Sequence, residues 1–294
     1  MTASPRPPGG QVPTHKHLLH LSGRRPGATR AGLVLVEWVQ DRLSERDWQI
    51  IQAVNQLRIL TGQHLQDLFF SSLPSERSRV ASRSRVLRRL VSWRVLVPLE
   101  RRIGGAGRGS TRQAFSLDSV GQRLIAHGQH ADGQPLRVRR PGTPGDRTLK
   151  HALAVSDLFV GLVVLARSSG FVVAEFATEP ACWWPTGLGG FVKPDAYVCL
   201  TLGDVVDHWW AEQDQATEAL PTLRRKLETY LDFVGRGQLG PGGITPRVLV
   251  STISERRREA IAGVVSRLPP PADKLFAVTV FDQATQYIAT VLRE

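Results

Sequence analysis

Asp195, Glu212 and Asp214 flank two strand-like runs, and Lys226 follows on a helical segment. Acids that close an aromatic strand, His208-Trp209-Trp210-Ala211, need a reason to be there. Carboxylates brought together bind a hard cation such as Mg2+, which takes oxygen ligands and keeps several waters. Such a cation offsets charge on phosphoryl oxygens and acidifies a bound water. The competing reading is a set of solvated acids at loop edges, with Lys226 on a helix surface.

The elements that must position these residues alternate in period. "TLKHALAVSDLFVGLVVLARSSG", from Thr148, has the period of a helix, and "FVVAEF" reads as a strand. "FVKPDAYVCLTL" and "VVDHWWAEQD" are two further strands separated by a Gly203-Asp204 turn. "PTLRRKLETYLDFV" is a helix with Pro221 near its start. "PRVLVST" is a strand, "SERRREAIAGVVSRL" a helix and "KLFAVTVF" a last strand. Along a regular strand His208, Trp210 and Glu212 share one face, and Trp209 and Ala211 the other. His208 is expected to pack rather than bind. Trp183 and Trp184, in "CWWPTGLGG", are expected to cover the edge of the core, with stacking on unpaired bases as the alternative. Arg256, Arg257 and Arg258 read as a solvated face.

The chain has 294 residues and a net charge of +12, unevenly spread. Residues 1–150 hold 25 Lys/Arg against 10 Asp/Glu, whereas residues 151–294 hold 13 against 16. A basic half concentrates near a polyanion, most often nucleic acid. Only Cys182 and Cys199 are present, with no CxxC pair, which disfavours a disulfide framework or a cysteine zinc site and fits a reducing cytoplasm. No continuous apolar stretch approaches the roughly 20 residues that span a bilayer, so no membrane partner is expected. The N-terminus has no signal-peptide core.

Residues 1–40, rich in Pro, Gly and Arg, read as a disordered basic arm whose His15, His17 and His20 are solvated. From 41 to 128 the pattern is three helices and a hairpin. Ser44 and Asp47 have capping-box spacing. Thr61 caps a short helix to Phe69, and a third helix runs to Ser92 with Val80, Val86, Leu87, Leu90 and Val91 as its apolar stripe. A strand, a glycine run over 104–109 and a returning strand follow. This is the order of a winged helix-turn-helix, whose third helix enters the major groove of double-stranded DNA. Arg77, Arg79, Ser82, Arg83 and Arg85 on that helix, with Ser78, are the expected DNA contacts, and Arg108 and Arg112 on the wing touch the backbone or minor groove. Residues 129–147 read as a Pro/Gly/Arg linker, and 148–294 as a second, α/β unit.

Pro194-Asp195, then Glu212-Gln213-Asp214-Gln215-Ala216-Thr217-Glu218, then Lys226-Leu227 and Tyr230 form the series PD, E-x-D-x-x-T-E and K-L-x-x-Y. In this the chain resembles the replication-relaxation family of plasmid and mobile-element proteins, over about residues 44–235. His151 fits the same pattern. The resemblance implies a fold of class α+β: an N-terminal winged helix-turn-helix followed by a mixed-sheet domain like the PD-(D/E)xK nucleases. It implies Asp195 and Glu212 as ligands of Mg2+, Asp214 in the first or second shell, and Lys226 assisting the attacking water, with Lys193 a weaker substitute. It also implies work on plasmid DNA, with a homodimer and plasmid replication or conjugation proteins as partners. In active nucleases of that type a lysine stands two residues after the Glu. Asp214 holds that place here and carries no positive charge. A regulator without catalytic turnover is therefore the alternative to a Mg2+-dependent endonuclease.

Overall fold

The computed structural model describes residues 28–99, 113–129, 142 and 144–294, with side chains from residue 34 and without those of 127–129. Arg108 and Arg112 lie outside these residues, as do the three histidines of the arm.

The chain is α+β, built around a mixed five-stranded sheet. Its first half opens with α1 (Ala28–Gln40) and α2 (Glu45–Leu57), then β1 (Leu60–Thr61), α3 (Gly62–Phe69) and α4 (Glu76–Ser92). β2 (Leu96–Pro98), β3 (Ala114–Leu117) and α5 (Ser119–Gln129) complete it. β3 pairs antiparallel with both β1 and β2. Helix α1 lies within the stretch expected as an arm; Val36 and Val39 are drawn into the core, and that burial orders it. The capping box of Ser44 and Asp47 forms. Asp47 also receives the Arg89 guanidinium on both oxygens, at 2.7 and 2.6 Å. Thr61 caps α3 and Ser75 caps α4. Val80 is 38% exposed, so the buried stripe of α4 narrows to Leu87 and Leu90.

The second half starts with α6 (Asp146–Ser169) and β4 (Val172–Thr178). A small hairpin, β5 (Trp184–Pro185) and β6 (Phe191–Val192), precedes the long pair β7 (Ala196–Leu202) and β8 (Val205–Asp214). α7 (Leu220–Gly235), β9 (Arg247–Thr252), α8 (Glu255–Val265), α9 (Ala272–Leu275), β10 (Phe276–Val280) and α10 (Phe281–Val291) follow. The sheet order is β10-β9-β8-β7-β4. β4, β7 and β8 run antiparallel, and β8, β9 and β10 run parallel. The terminal helix α10 was not anticipated; its buried Ala284 and Ile288 stand at helical spacing behind Val280.

Side chains alternate across the sheet as its pleat requires. Ala196, Val198, Leu200, Trp209 and Ala211 enter one cluster, under α6 and α10. Tyr197, Cys199, Trp210, Val248 and Val250 enter another, under α7 and α8. Burial of each of the large apolar side chains contributes about 1.5–3 kcal/mol. Helix α6 is long and apolar enough to cross a membrane, by length and composition alone, which corrects the expectation that no segment would be. Here it is a core helix, with Leu153, Val155, Leu158 and Leu162 buried.

The first half packs directly on the second. One cluster contains Ile51, Leu65 and Leu90 together with Leu158, Val198 and Trp209. Polar contacts add to it. Ser156 Oγ donates to Ile59 O at 2.7 Å, His64 Nε2 meets Asp157 at 2.7 Å, and Arg167 donates to Asp67 O and Leu68 O. Arg58 binds both the carboxylate and the backbone carbonyl of Glu179.

Candidate functional site: an acid–lysine cluster at the strand ends

Register brings the acids together. Ala196 pairs with Ala211, and the N–H of Asp195, just before β7, donates to Ala211 O at 3.0 Å. Asp195 is thereby placed beside Glu212 in the middle of the sheet. β8 is flanked by β7 and β9, so Glu212 has no route to solvent along the sheet. From α7, Leu223, Leu227 and Tyr230 pack on the same face. Lys226 and Tyr230, four apart and therefore neighbours on the helix, reach the two oxygens of one carboxylate. Lys226 Nζ contacts Glu212 Oε2, and the Tyr230 hydroxyl donates to Glu212 Oε1 at 2.5 Å.

The Lys226 ammonium also lies 3.8 Å from Asp195 Oδ1. His151 Nε2, from α6, is 3.4 Å from that oxygen, and the Gln213 N–H donates to Asp195 Oδ2 at 2.7 Å. Burial alone raises the Asp195 carboxyl, but the His151 contact, the Lys226 charge and the Gln213 N–H outweigh it and leave it below the usual value. Glu212 is pushed the other way, up to about 8, because burial outweighs Lys226 and because Asp195 is a second negative charge nearby. Burial pulls Lys226 down, but the two carboxylates hold its ammonium form above the ordinary lysine value. Burial, then Glu212, raises Tyr230 well above a free phenol, so it remains a hydrogen-bond donor.

The cluster opens into a cavity of about 280 Å3 bordered by Arg147, Thr148, His151, Gln213, Glu218 and Lys226. A second cavity, about 350 Å3, shares Thr148, His151, Glu179 and Asp195 and extends to Arg58, Leu99 and Ser116 of the first half. Asp195 thus faces a space that both halves of the chain border.

Three of the expected site residues converge: Asp195, Glu212 and Lys226. Asp214 borders the cavity but is held elsewhere. Its carboxylate takes the Arg257 fork at 2.9 and 3.1 Å and the Thr252 hydroxyl at 2.7 Å. Arg257 is therefore no member of a solvated face; its side chain is 16% exposed and locks the end of β8 to α8. Lys193 lies over Trp183, 4.6 Å from the ring centroid, and does not border the cavity. His208 hydrogen-bonds to the Tyr197 hydroxyl at 2.6 Å and stacks on its ring. Trp183 and Trp184 pack against the core edge, and both cysteines are free and buried. Sequence reasoning gave no role to Tyr230 at Glu212, to Arg257 or to Arg147, although Tyr230 stood one turn after Lys226.

On α4 the arginines divide. Arg79 Nε donates to Leu73 O at 3.0 Å and Arg83 to Gln66 Oε1 at 2.9 Å, so both are half-buried and held by the protein. Ser82 is half-buried. Arg77 and Arg85 are exposed, as is Arg88, and the helical period puts all three on one face.

Asp195 and Glu212 fit a hard cation in type: two oxygen-donor acids sharing one cationic partner beside an open cavity. Among the described residues no group of three or more His, Cys, Asp or Glu gathers as metal ligands, so waters would complete the sphere of a Mg2+ ion.

The sequence profile of the replication-relaxation family matches residues 51–248, two thirds of the chain, and the chain belongs to that family. No curated protein and no solved structure matches it.

Proposed function

We propose that this member of the replication-relaxation family works in replication or relaxation of mobile DNA by binding the duplex and cleaving its phosphodiester backbone in a metal-dependent reaction. The observation that carries this reading is the meeting of Asp195, Glu212 and Lys226, from three separate elements, at one solvent-open cavity. The reading takes the first half as a winged helix-turn-helix and the second as a domain like the PD-(D/E)xK nucleases. Arg77, Arg85 and Arg88 of α4 supply phosphate contacts.

Asp195 and Glu212 would hold Mg2+, which when bound supplies charge neutralisation and an acidified water. The chain's own groups do the rest. The Gln213 N–H and His151 fix the Asp195 carboxylate, and Tyr230 fixes Glu212. Lys226 carries the positive charge that the position of Asp214 lacks, and its ammonium stabilises negative charge developing on phosphoryl oxygens.

A second reading, a regulator without turnover that uses the sheet domain as a partner surface, is favoured by one observation. Both oxygens of Glu212 already have donors. Two measurements separate the readings. Gel-shift titration with a duplex is expected to show binding that weakens steeply with salt. Calorimetric titration with Mn2+ is expected to show one site that is lost in Asp195→Asn. Duplex binding with no metal site leaves the regulator; loss of both removes the proposal.

A further inference from the structure

The five-stranded sheet has two edges, and the fold treats them differently. β4 is blunted. A bulge falls between Val173 and Glu175, and Glu175 is exposed. Helix α2 lies alongside: the Gln56 side chain donates to Phe176 O, and Thr178 Oγ1 donates to Gln56 O at 2.7 Å. Bulges, charges and a covering element are the means by which a sheet keeps a further strand from adding.

β10, at the other edge, has none of them. Phe276-Ala277-Val278-Thr279-Val280 contains no charge and no proline, and its register with β9 is unbroken over all five residues. No strand lies beyond it among the described residues. A groove runs along each side. On the α8 side a cavity of about 510 Å3 is lined by Ala262, Val265, Leu268, Phe276 and Val278. On the α10 side one of about 500 Å3 is lined by Thr279, Gln283, Gln286 and Thr290, with Tyr287. A strand laid against β10 sends its side chains alternately into the two. It must therefore be apolar on one face and small or polar on the other. β10 is itself such a strand: Phe276 and Val278 face the apolar groove, and Ala277 and Thr279 the opposite side.

Charges set the direction. α8 starts beside the C-terminal end of β9 and runs back, so Arg258, in its first turn, stands at the Val280 end of the apolar groove. Asp273 borders the same groove just before Phe276, at the other end. Antiparallel pairing of two copies of β10 sets each Arg258 against the Asp273 of the other copy. Arg258 is paired with Glu255 one turn back, and its five N–H donors leave room for a second carboxylate. A two-fold axis fills both grooves and forms both charge pairs at once, as an isologous contact must.

We infer that β10 is the dimerisation edge of this protein. Two copies pair through it antiparallel, about a two-fold axis perpendicular to the sheet. The two five-stranded sheets become one, with an acid cluster on each side of the axis. This goes beyond the reading of the acid cluster and holds whether or not that cluster cleaves DNA.

Sedimentation velocity of the full chain at about 50 µM, above the micromolar Kd of a modest interface, is expected to show twice the 32.4 kDa of one chain. Val278→Lys puts two ammonium groups together at the axis and is expected to weaken the dimer about a hundredfold. Arg258→Glu and Asp273→Arg, at the rim of the groove, are each expected to weaken it about tenfold, since every dimer holds the pair twice. The double variant Arg258→Glu/Asp273→Arg is expected to return to within about threefold of the parent, a rescue that misfolding or a different interface would not give. Thermal unfolding reports whether each variant folds; if Val278→Lys does not, the three charge variants decide. A monomeric parent overturns the inference and leaves the edge to a strand of another protein. A dimer that survives a folded Val278→Lys unweakened overturns it, as does a double charge variant no tighter than the singles.

Discussion

Replacing Lys226 by Met separates the electrostatics of the cluster from its packing, because the cost depends on pH in a defined way. Glu212, with its folded pKa raised to about 8 by burial, holds its proton more tightly in the folded than in the unfolded chain. The stability of the parent is therefore present at low pH and declines as pH rises towards about 8, where Glu212 ionises beside Lys226. Without the ammonium, the Glu212 carboxyl has no cation to favour its charged form, and its pKa rises further. The variant goes on losing stability above pH 8, where the parent has levelled off. Each pKa unit is worth about 1.4 kcal/mol, so the variant loses about 1.4 kcal/mol more than the parent at pH 9 than at pH 7. That corresponds to a widening of the Tm gap by roughly 3 °C for a domain of this size. Thermal unfolding of parent, Lys226→Met and Lys226→Met/Glu212→Gln at pH 7 and pH 9 reads it. The double variant, with no carboxyl to titrate at 212, shows no widening. An equal gap at both pH values would refute the claim that Lys226 acts on Glu212 through its charge.

Three further outcomes follow from the geometry. Arg257→Ala strands the Asp214 carboxylate, 5% exposed, and lowers unfolding stability by about 3–5 kcal/mol; Asp214→Asn in that background recovers part of the loss in denaturant titration. The triple variant of Arg77, Arg85 and Arg88 to Ala weakens duplex binding at every sequence and reduces the slope of log affinity on log salt by about 3, read by fluorescence anisotropy. Gly121→Ala would set its Cβ 2.3 Å from Val95 O, so α5 must shift from β2, at a cost of about 1–3 kcal/mol in thermal unfolding.

Much of the sheet domain was legible because its strands are apolar on both faces and its helices have clear periods. Asp195 and Glu212 stood out as acids at the start of one such strand and the end of the next, and the antiparallel register that joins them follows from the short Gly203-Asp204 turn. Lys226 and Tyr230 were readable as one helix face, though not as the two donors of one carboxylate, since that depends on how α7 crosses the sheet. The partner of Asp214, Arg257, was not legible because it lies 43 residues on, and no local pattern announces a buried pair. The arginines of α4 look alike in sequence. Arg79 and Arg83 are tied to the protein by Leu73 O and Gln66, contacts that depend on the fold of α3. Helix α10 was missed because its start, Phe281, continues the apolar run of β10, and Ala284 and Ile288 gain meaning only once the sheet offers them a face.

The central claim is that Asp195, Glu212 and Lys226 form one centre acting on the DNA backbone. Incubation of supercoiled plasmid with the full chain and Mg2+ or Mn2+, resolved on an agarose gel, tests it most directly. Nicked or linear product is expected from the parent, with none from Asp195→Ala, Glu212→Gln or Lys226→Met under the same conditions. Product from all three variants at the parent's rate, or none from the parent with duplex, single-stranded or nicked DNA, would contradict it.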